Sequence, residues 1–311
     1  MTSSIAIAGA SGLVGTALQA HLAQEHSEVR VLRLVRDESQ TAGDTVRWSP
    51  RSGKIDATAL EGADAIVNLA GEPIGPARWN PERKRRIRES RVEGTRLLAQ
   101  TIAGFGTKPR VFIHASAVGF YGDMGDEFVD ECSPAGEGFL ASVCDEWERA
   151  SAAAEQAGIR VVRLRLGHVL SPDGGLLGAM QTPFKLGVGG RFGDGLQFWS
   201  WIAIPDLVDL LIQAIYNPKL NGMINAVTPN PVRNRDFARA YASAVGRWAL
   251  LPAPAAALKL AFGSEQATEM LLFGQRVQPT VLQDIGFQFQ YPELGEALRG
   301  IANHALNPPR S

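Results

Sequence analysis

The sequence of 311 residues predicts an α/β protein, with a doubly wound parallel sheet followed by a smaller, mostly helical domain. Three features lead to this prediction. Short apolar runs alternate with helical patterns in the first half, which is typical of a parallel sheet with right-handed crossovers. A glycine-rich turn joins the first run to the first helix. After about residue 170, glycine-rich loops alternate with helix patterns, and such a domain is expected to cap the carboxyl ends of the strands.

The elements follow in order from these patterns. Short, mainly apolar runs predict buried parallel strands. These strands are Ile5–Ala8, Val29–Val35, Ala65–Leu69, Val111–Ala115 and Val161–Leu166, with Thr45–Trp48 as a weaker strand. The predicted helices between them are Leu13–Gln24, Pro81–Ile102 and Leu140–Ala157. We therefore expect a nucleotide-binding domain over residues 1–170, to which the chain returns around 200–230, and a substrate domain over residues 171–311.

Composition narrows the class of protein. The formal net charge is −1, which gives no overall electrostatic attraction to nucleic acid or to an anionic membrane. The two cysteines, Cys132 and Cys144, are too few for a disulfide framework, and the five histidines have no metal-ligand spacing. Neither a secretory signal nor a membrane-spanning segment is recognisable. We expect a cytoplasmic protein that binds no metal, membrane or nucleic acid.

The glycine turn predicts a dinucleotide site. Gly9, Gly12 and Gly15 stand between the first strand and the first helix, where glycines allow a tight turn and bring backbone amides close to a pyrophosphate. Arg36 ends the second strand, at the position where an acidic residue would bind the ribose 2′-hydroxyl of NAD. An arginine there accommodates a 2′-phosphate and favours NADP(H), although a surface arginine at a strand end is the alternative.

Longer motifs identify a family. The glycine turn, Asn-Leu-Ala-Gly (68–71), Ser-Arg-Val-Glu-Gly-Thr (90–95) and Ala-Ser-Ala-Val-Gly-Phe-Tyr-Gly (115–122) resemble the extended short-chain dehydrogenase/reductase superfamily, whose sheet is the Rossmann fold. A closer resemblance, to its atypical nucleotide-sugar-epimerase-like family, is carried by Gly-Glu-Pro-Ile (71–74), Cys-Asp-Glu-Trp-Glu (144–148), Pro-Phe-Lys-Leu-Gly-Val-Gly-Gly (183–190) and Phe-Trp-Ser-Trp-Ile (198–202). Phe-Gly-Gln-Arg-Val-x-Pro (273–279) and Gly-Phe-Gln-Phe-Gln-Tyr-Pro (286–292) resemble the C-terminal domain of that family, here within residues 250–300.

The resemblance implies a set of cofactor-binding residues. These are Gly9, Ser11, Gly12, Leu13, Val14, Arg36, Leu69, Ala70, Gly71, Arg91 and Val169, and the glycine motif itself adds Gly15. Arg91 lies on the long predicted helix beside the expected pyrophosphate track, where a fork of donors suits phosphate. Because five other basic residues surround it on that helix, a solvated helix face is the alternative. The implied cofactor is NADP.

The usual catalytic pair of the superfamily is missing. None of the four tyrosines is followed by lysine four residues later, and Leu140 and Cys144 stand where Tyr-x-x-x-Lys belongs. Leucine cannot transfer a proton, and a thiol cannot replace the positive charge of lysine. Ser116 occupies the place where the family serine binds the substrate, unless it only satisfies local backbone. Tyr121 follows it and is the predicted surrogate acid.

The substrate side is less defined. The loop 189–201 supplies Arg191, Trp199 and Trp201 as a substrate wall, although a core role for the tryptophans is equally favoured. The Trp-Ile-His usual in the family is here Trp201-Ile202-Ala203, so a histidine-dependent step is doubtful.

Two functions follow from these features. The first is an NADP(H)-dependent oxidoreductase or epimerase-like enzyme for a small molecule, such as a nucleotide sugar or a carbonyl compound. The second is a non-catalytic NADP(H)-binding redox sensor or regulatory protein. By analogy with many relatives, the helices at 81–102 and 140–157 are expected to form a homodimer face.

Overall fold

The computed structural model describes residues 3–36, 43–75, 77–249 and 251–306, with side chains described as far as residue 302. The strands are β1 (Ser4–Ala8), β2 (Arg30–Val35), β3 (Thr45–Ser49), β4 (Lys54–Ile55), β5 (Ala65–Asn68), β6 (Val111–Ala117), β7 (Phe128–Val129), β8 (Arg160–Leu166), β9 (His168–Ser171), β10 (Phe198–Trp199), β11 (Trp201–Ala203), β12 (Gly222–Ala226), β13 (Val232–Arg233) and β14 (Arg276–Val277). The α-helices are α1 (Leu13–Glu25), α2 (Ala57–Leu60), α3 (Pro81–Ala103), α4 (Phe139–Arg149), α5 (Ala152–Gln156), α6 (Gly175–Lys185), α7 (Ile204–Tyr216), α8 (Asn234–Ala244), α9 (Ala255–Phe262), α10 (Ser264–Ala267), α11 (Thr280–Asp284) and α12 (Leu294–Leu306). A π-helical turn spans Thr268–Leu272.

The main sheet has eight strands in the order β12-β8-β6-β5-β1-β2-β3-β4. All neighbours are parallel except β3 and β4, which pair antiparallel at one edge. The strand order reverses beside β1, which has β2 on one side and β5 on the other. Such a reversal leaves a crevice outside the carboxyl ends of the strands, where open α/β sheets bind their ligands. The predicted fold class is confirmed.

Burial on both faces of the sheet explains the apolar runs. Ile5 and Ile7 of β1 pack with α1 and α7 on one face, whereas Ala6 and Ala8 pack with α3 on the other. All four are fully buried. Because successive side chains of a strand point to opposite faces, β1 has to be apolar on both of them, since helices cover the sheet on each side.

The predicted helix at 140–157 is two helices, and this expectation was wrong in detail. The Ser151 hydroxyl and the Arg163 guanidinium both donate to the carbonyl oxygen of Glu148, at 2.8 and 3.1 Å. Arg163 also donates to the Ser151 hydroxyl, at 3.1 Å. Side chains that bind the carbonyl oxygens near a helix end favour termination there. Arg163 comes from a neighbouring strand, so the helix pattern of residues 140–157 does not reveal this effect.

The C-terminal half is mostly helical, with three two-stranded sheets formed by β10 with β13, β11 with β9, and β14 with β7. Its core is aromatic: Trp199, Trp201 and Phe237 are at most 1% exposed and pack among α6, α8 and α12. The strand β12, within the range 200–230, joins the main sheet beside β8. Among the residues that the structure describes, no helix is both long and apolar enough to cross a bilayer.

Candidate functional site

The turn after β1 requires glycine at two positions. Gly9 has φ +80°, and a Cβ there would lie 2.7 Å from the carbonyl carbon of Leu69. A Cβ at Gly15 would lie 2.3 Å from the carbonyl oxygen of Gly9, closer than any side chain tolerates. The turn therefore lies directly against the end of β5, and α1 packs against the turn itself. This is the close backbone approach that a pyrophosphate-binding turn needs.

The N-terminus of α1 is suited to an anion. Gly12 is its N-cap and supplies no side-chain acceptor, and the first turn has no acidic residue. Ser11 and Gly12 are exposed, whereas Leu13 and Val14 are partly buried. Uncapped amides at the positive end of a helix bind phosphate groups well.

The end of β5 is shaped by one buried amide. The Asn68 side chain donates to the Thr95 hydroxyl at 2.9 Å and accepts from the Ala70 amide at 3.2 Å. The indole of Trp147 donates to the same hydroxyl at 2.8 Å. These bonds fix the course of Leu69, Ala70 and Gly71 across the sheet edge, which explains why a polar residue ends this apolar strand.

Arg91 lies behind this segment rather than on a solvated helix face. Its Nη1 donates to the carbonyl oxygens of Glu72 and Ile87, at 3.0 and 3.1 Å. A Cβ at Gly71 would lie 3.2 Å from the guanidinium carbon, so the two residues are in contact. Burial lowers the pKa of Arg91 from its usual value, and the nearby Glu72 carboxylate opposes that shift. A half-buried cation is thus held beside the crevice.

Arg36 and Val169 lie on different elements: Arg36 follows β2, and Val169 lies in β9. Arg36 is exposed and follows β2, whose Leu34 pairs with Ala8 just before the glycine turn. Val169 lies in β9, and a Cβ at Gly175 would be 3.8 Å from the Val169 carbonyl oxygen. That same Cβ would lie 3.1 Å from a methyl carbon of Leu13, so the start of α6 covers the start of α1.

Ser116 is directed into the interior. It is 1% exposed, and its hydroxyl donates to Glu148 Oε1 at 2.7 Å. Its one proton is therefore directed at a buried carboxylate rather than at the crevice. The next residue, Ala117, points to the other side of the strand and carries no polar group. This placement favours the structural reading of Ser116 over substrate binding.

Glu148 also forms a buried ion pair. Arg165 donates to both of its carboxylate oxygens, at 2.8 and 2.9 Å, and stacks 3.6 Å above the ring centre of Phe120. Burial alone would lower the pKa of Arg165, but the hydrogen bond to Glu148 and the charges around it raise that pKa above its usual value. Sequence patterns do not reveal this pair, because its two residues are 17 positions apart and lie on different elements.

Tyr121 belongs to the same network. It is fully buried; its hydroxyl receives a hydrogen bond from Arg165 at 2.9 Å and lies 2.7 Å from Asn225 Oδ1 and 2.8 Å from the Asp130 carbonyl oxygen. Burial raises its pKa to about 12, although Arg165 works against the shift. With its proton committed to interior acceptors, Tyr121 is placed as a structural group. The predicted role as surrogate acid does not fit this position.

The positions of the missing pair lie on α4. Cys144 is buried, and burial, followed by the Glu148 charge, raises the pKa of its thiol to about 12. Leu140 lies in the first turn of α4, where its amide and that of Phe139 donate to the carboxylate of Glu269, at 2.8 and 2.9 Å. Glu269 thus caps α4 from the C-terminal region, a contact that sequence reasoning did not find.

The predicted substrate wall divides in two. Trp199 and Trp201 belong to the core, as the alternative reading had it, whereas Arg191 is exposed. The His168 ring packs against Trp199 with ring centres 4.5 Å apart and a tilt of 45°, and burial lowers the pKa of His168 to about 4. Within the described parts of the chain, no group of three or more histidine, cysteine or acidic side chains could hold a metal ion.

Comparisons with known proteins cover nearly the whole chain. Residues 5–226 match the model of the NAD dependent epimerase/dehydratase family, and residues 253–301 match a domain of unknown function, DUF1731. An epimerase family protein of Mycobacterium bovis is 44% identical over 94% of this chain and 96% of that protein. The human epimerase family protein SDR39U1 is 35% identical over 96% of this chain and 99% of that protein.

Solved structures resemble this one closely. The crystal structure of human SDR39U1 with NADPH superposes with a TM-score of 0.88 at 34% identity, over 96% of this chain and 99% of that chain. A nucleoside-diphosphate sugar epimerase from Corynebacterium glutamicum gives a TM-score of 0.80 at 39% identity, over 98% of this chain and 59% of that longer chain.

Proposed function

Because this chain belongs to the NAD dependent epimerase/dehydratase family, we propose that it binds NADP(H) in the crevice between the ends of β1 and β5. One observation carries the proposal: the turn at Gly9 and Gly15 has no room for a Cβ and leads into an uncapped helix N-terminus. A backbone shaped in this way fits a pyrophosphate. Human SDR39U1, crystallised with NADPH, supports the assignment by similarity.

The proposed contacts follow the crevice from end to end. The amides around Ser11, Gly12, Leu13 and Val14 would hold the pyrophosphate. Arg36 would bind the 2′-phosphate of NADP(H). The remaining contacts would come from Leu69, Ala70, Gly71, Arg91 and Val169, which line the crevice or lie against it. Arg91 would act mainly by supporting Gly71 and by placing a positive charge behind the phosphates.

The bound nucleotide would supply hydride chemistry at its nicotinamide ring, and the C-terminal half would hold a small-molecule substrate such as a nucleotide sugar or a carbonyl compound. The chain's own contribution would be to bind and orient the cofactor. Because Ser116 and Tyr121 direct their protons inward, the proton of the reaction would come from water.

A second candidate function is a non-catalytic NADP(H)-binding redox sensor or regulatory protein. It is favoured by the two residues of α4 that stand at the positions of the usual catalytic pair. Leu140 carries no titratable group, and Cys144 is a buried thiol with a raised pKa. Oxidation of NADPH across a panel of carbonyl compounds and nucleotide sugars distinguishes the two. Turnover supports the enzyme; tight binding without any turnover supports the sensor.

Cofactor selectivity tests the binding site itself. We expect Arg36→Ala to weaken NADPH binding about tenfold or more, since a hydrogen bond to a charged group contributes about 1.5–3 kcal/mol, and to leave NADH binding unchanged. Arg33→Ala is the matched control, because Arg33 is an exposed arginine of β2, the strand that Arg36 follows. Titrations followed by cofactor fluorescence measure the affinity of each variant for NADPH and for NADH. Equal losses for NADPH and NADH would remove Arg36 from the site.

A further inference from the structure

Basic residues are segregated in two segments of the C-terminal half. The whole chain has 31 basic and 32 acidic residues, yet segments 174–193 and 237–264 contain no aspartate or glutamate. They carry five basic residues, which are Lys185, Arg191, Arg239, Arg247 and Lys259. Arg239 is paired at 3.5 Å with Asp236, which precedes the second segment, so the other four provide the local positive charge. A net charge near zero therefore conceals a locally cationic region.

The same two segments expose large apolar side chains. Of the ten large hydrophobic residues that are exposed in the described chain, six lie within them. Trp248 is 79% exposed and Leu186 is 72% exposed, and Val188 and Leu251 are each more than half exposed. The remaining two, Leu260 and Phe262, are in α9. Single exposed apolar residues are ordinary, but a group of them marks an interaction surface.

Contacts between the segments place four of these residues on one surface. The Arg247 guanidinium donates to the carbonyl oxygen of Lys185 at 2.9 Å, next to Trp248 and Leu186. A little further along, Gly190 lies directly against the carbonyl group of Leu251. We call the surface formed by Leu186, Val188, Trp248 and Leu251, with Lys185 and Arg247, the basic apolar face. The helix α9, with Lys259, begins four residues after Leu251.

We propose that the basic apolar face binds peripherally to an anionic lipid membrane. Exposed tryptophan and leucine side chains insert at the boundary between headgroups and acyl chains, while neighbouring lysine and arginine are attracted to acidic lipids. The absence of acidic residues from both segments matches a uniformly negative surface better than a protein partner of mixed charge. This attachment needs no spanning helix and does not depend on NADP(H) binding.

The experiment measures co-sedimentation of the full chain with phosphatidylcholine vesicles that contain or lack phosphatidylglycerol. Binding is expected only with phosphatidylglycerol and should weaken as salt is added. The fluorescence of Trp248 should shift to shorter wavelength on binding, because Trp48, Trp147, Trp199 and Trp201 are already buried and Trp79 is partly buried outside the two segments. Binding that is equal for neutral and acidic vesicles, or absent from both, overturns the proposal.

Variants locate the binding surface. Lys185→Gln and Arg247→Gln should each weaken vesicle binding about fivefold, the factor expected for one juxtamembrane cation, and Trp248→Ala should remove the spectral shift. Lys219→Gln and Met223→Ala, at exposed residues outside the two segments, are the matched controls and should bind as the unaltered chain does. Equal effects at control and test positions contradict the assignment. So does a dimer in sedimentation velocity that Trp248→Ala dissociates, because the face would then be an interface between copies of the chain.

Discussion

Gly9→Ala tests the turn on which the proposed cofactor site depends. Gly9 has φ +80°, and a left-handed conformation raises the energy of a non-glycine residue by about 1–2 kcal/mol. The added Cβ would also lie 2.7 Å from the Leu69 carbonyl carbon and 2.8 Å from the Ala70 amide nitrogen. Forcing an atom into packed backbone costs about 1–3 kcal/mol more. We therefore expect a loss of about 2–5 kcal/mol in the free energy of unfolding.

Gly62→Ala is the matched control. Gly62 has φ +86°, but its Cβ would meet nothing within 4 Å, so only the conformational strain of about 1–2 kcal/mol applies. The difference between the two variants isolates the contact of the turn with the end of β5. Denaturant unfolding measures stability, and NADPH titration measures affinity, which should fall about tenfold or more only in Gly9→Ala. Equal stability losses with unchanged NADPH affinity in both variants would refute the reasoning.

Three further predictions concern buried polar groups. Glu148→Gln should destabilise the protein by about 3–5 kcal/mol in denaturant unfolding, because it leaves the charge of Arg165 buried without a counter-ion; a loss below about 1 kcal/mol would contradict the ion pair. A thiol reagent should modify only Cys132 in the native protein and reach Cys144 after unfolding, so two equally fast thiols would argue against the described burial. Acid should act in part through His114, whose pKa burial lowers to about 3. Below pH 6.5 the unfolded chain gains a proton at this residue and the folded chain does not, so His114 accounts for a loss of about 2 kcal/mol of stability by pH 5. His168, whose pKa burial lowers to about 4, adds to the same dependence. Unfolding curves at pH 6.5 and at pH 5 measure this loss of stability. The variant His114→Gln should lack the part of the loss that His114 contributes.

The fold could be predicted from local sequence patterns because helices cover both faces of the sheet. The run around Ile5 is apolar throughout, and Gly9 and Gly15 of the first turn have no room for a side chain, so both features were visible in the sequence. Even the weaker strand at 45–48 is present as β3.

The environment of single side chains could not be predicted in the same way. Ser116 and Tyr121 stand at the end of a central strand, where a sequence pattern alone does not say which way a side chain points. Their partners Glu148, Arg165 and Asn225 come from other elements up to 104 residues away. The break between α4 and α5 has the same origin, because it depends on Arg163 of a neighbouring strand.

The carboxylate of Glu269 links the two regions that the family models match, because the first region needs it for the start of one of its helices. It comes from beyond residue 253, yet it supplies the acceptors for the opening amides of the helix that carries Leu140 and Cys144. The N-cap of that helix, Gly138, offers no side chain of its own. A fragment that stopped at residue 252 would keep every residue of the main sheet, but the first turn of α4 would fray. The DUF1731 region is thus a structural component of the half that contains the main sheet, and not an appendage to it.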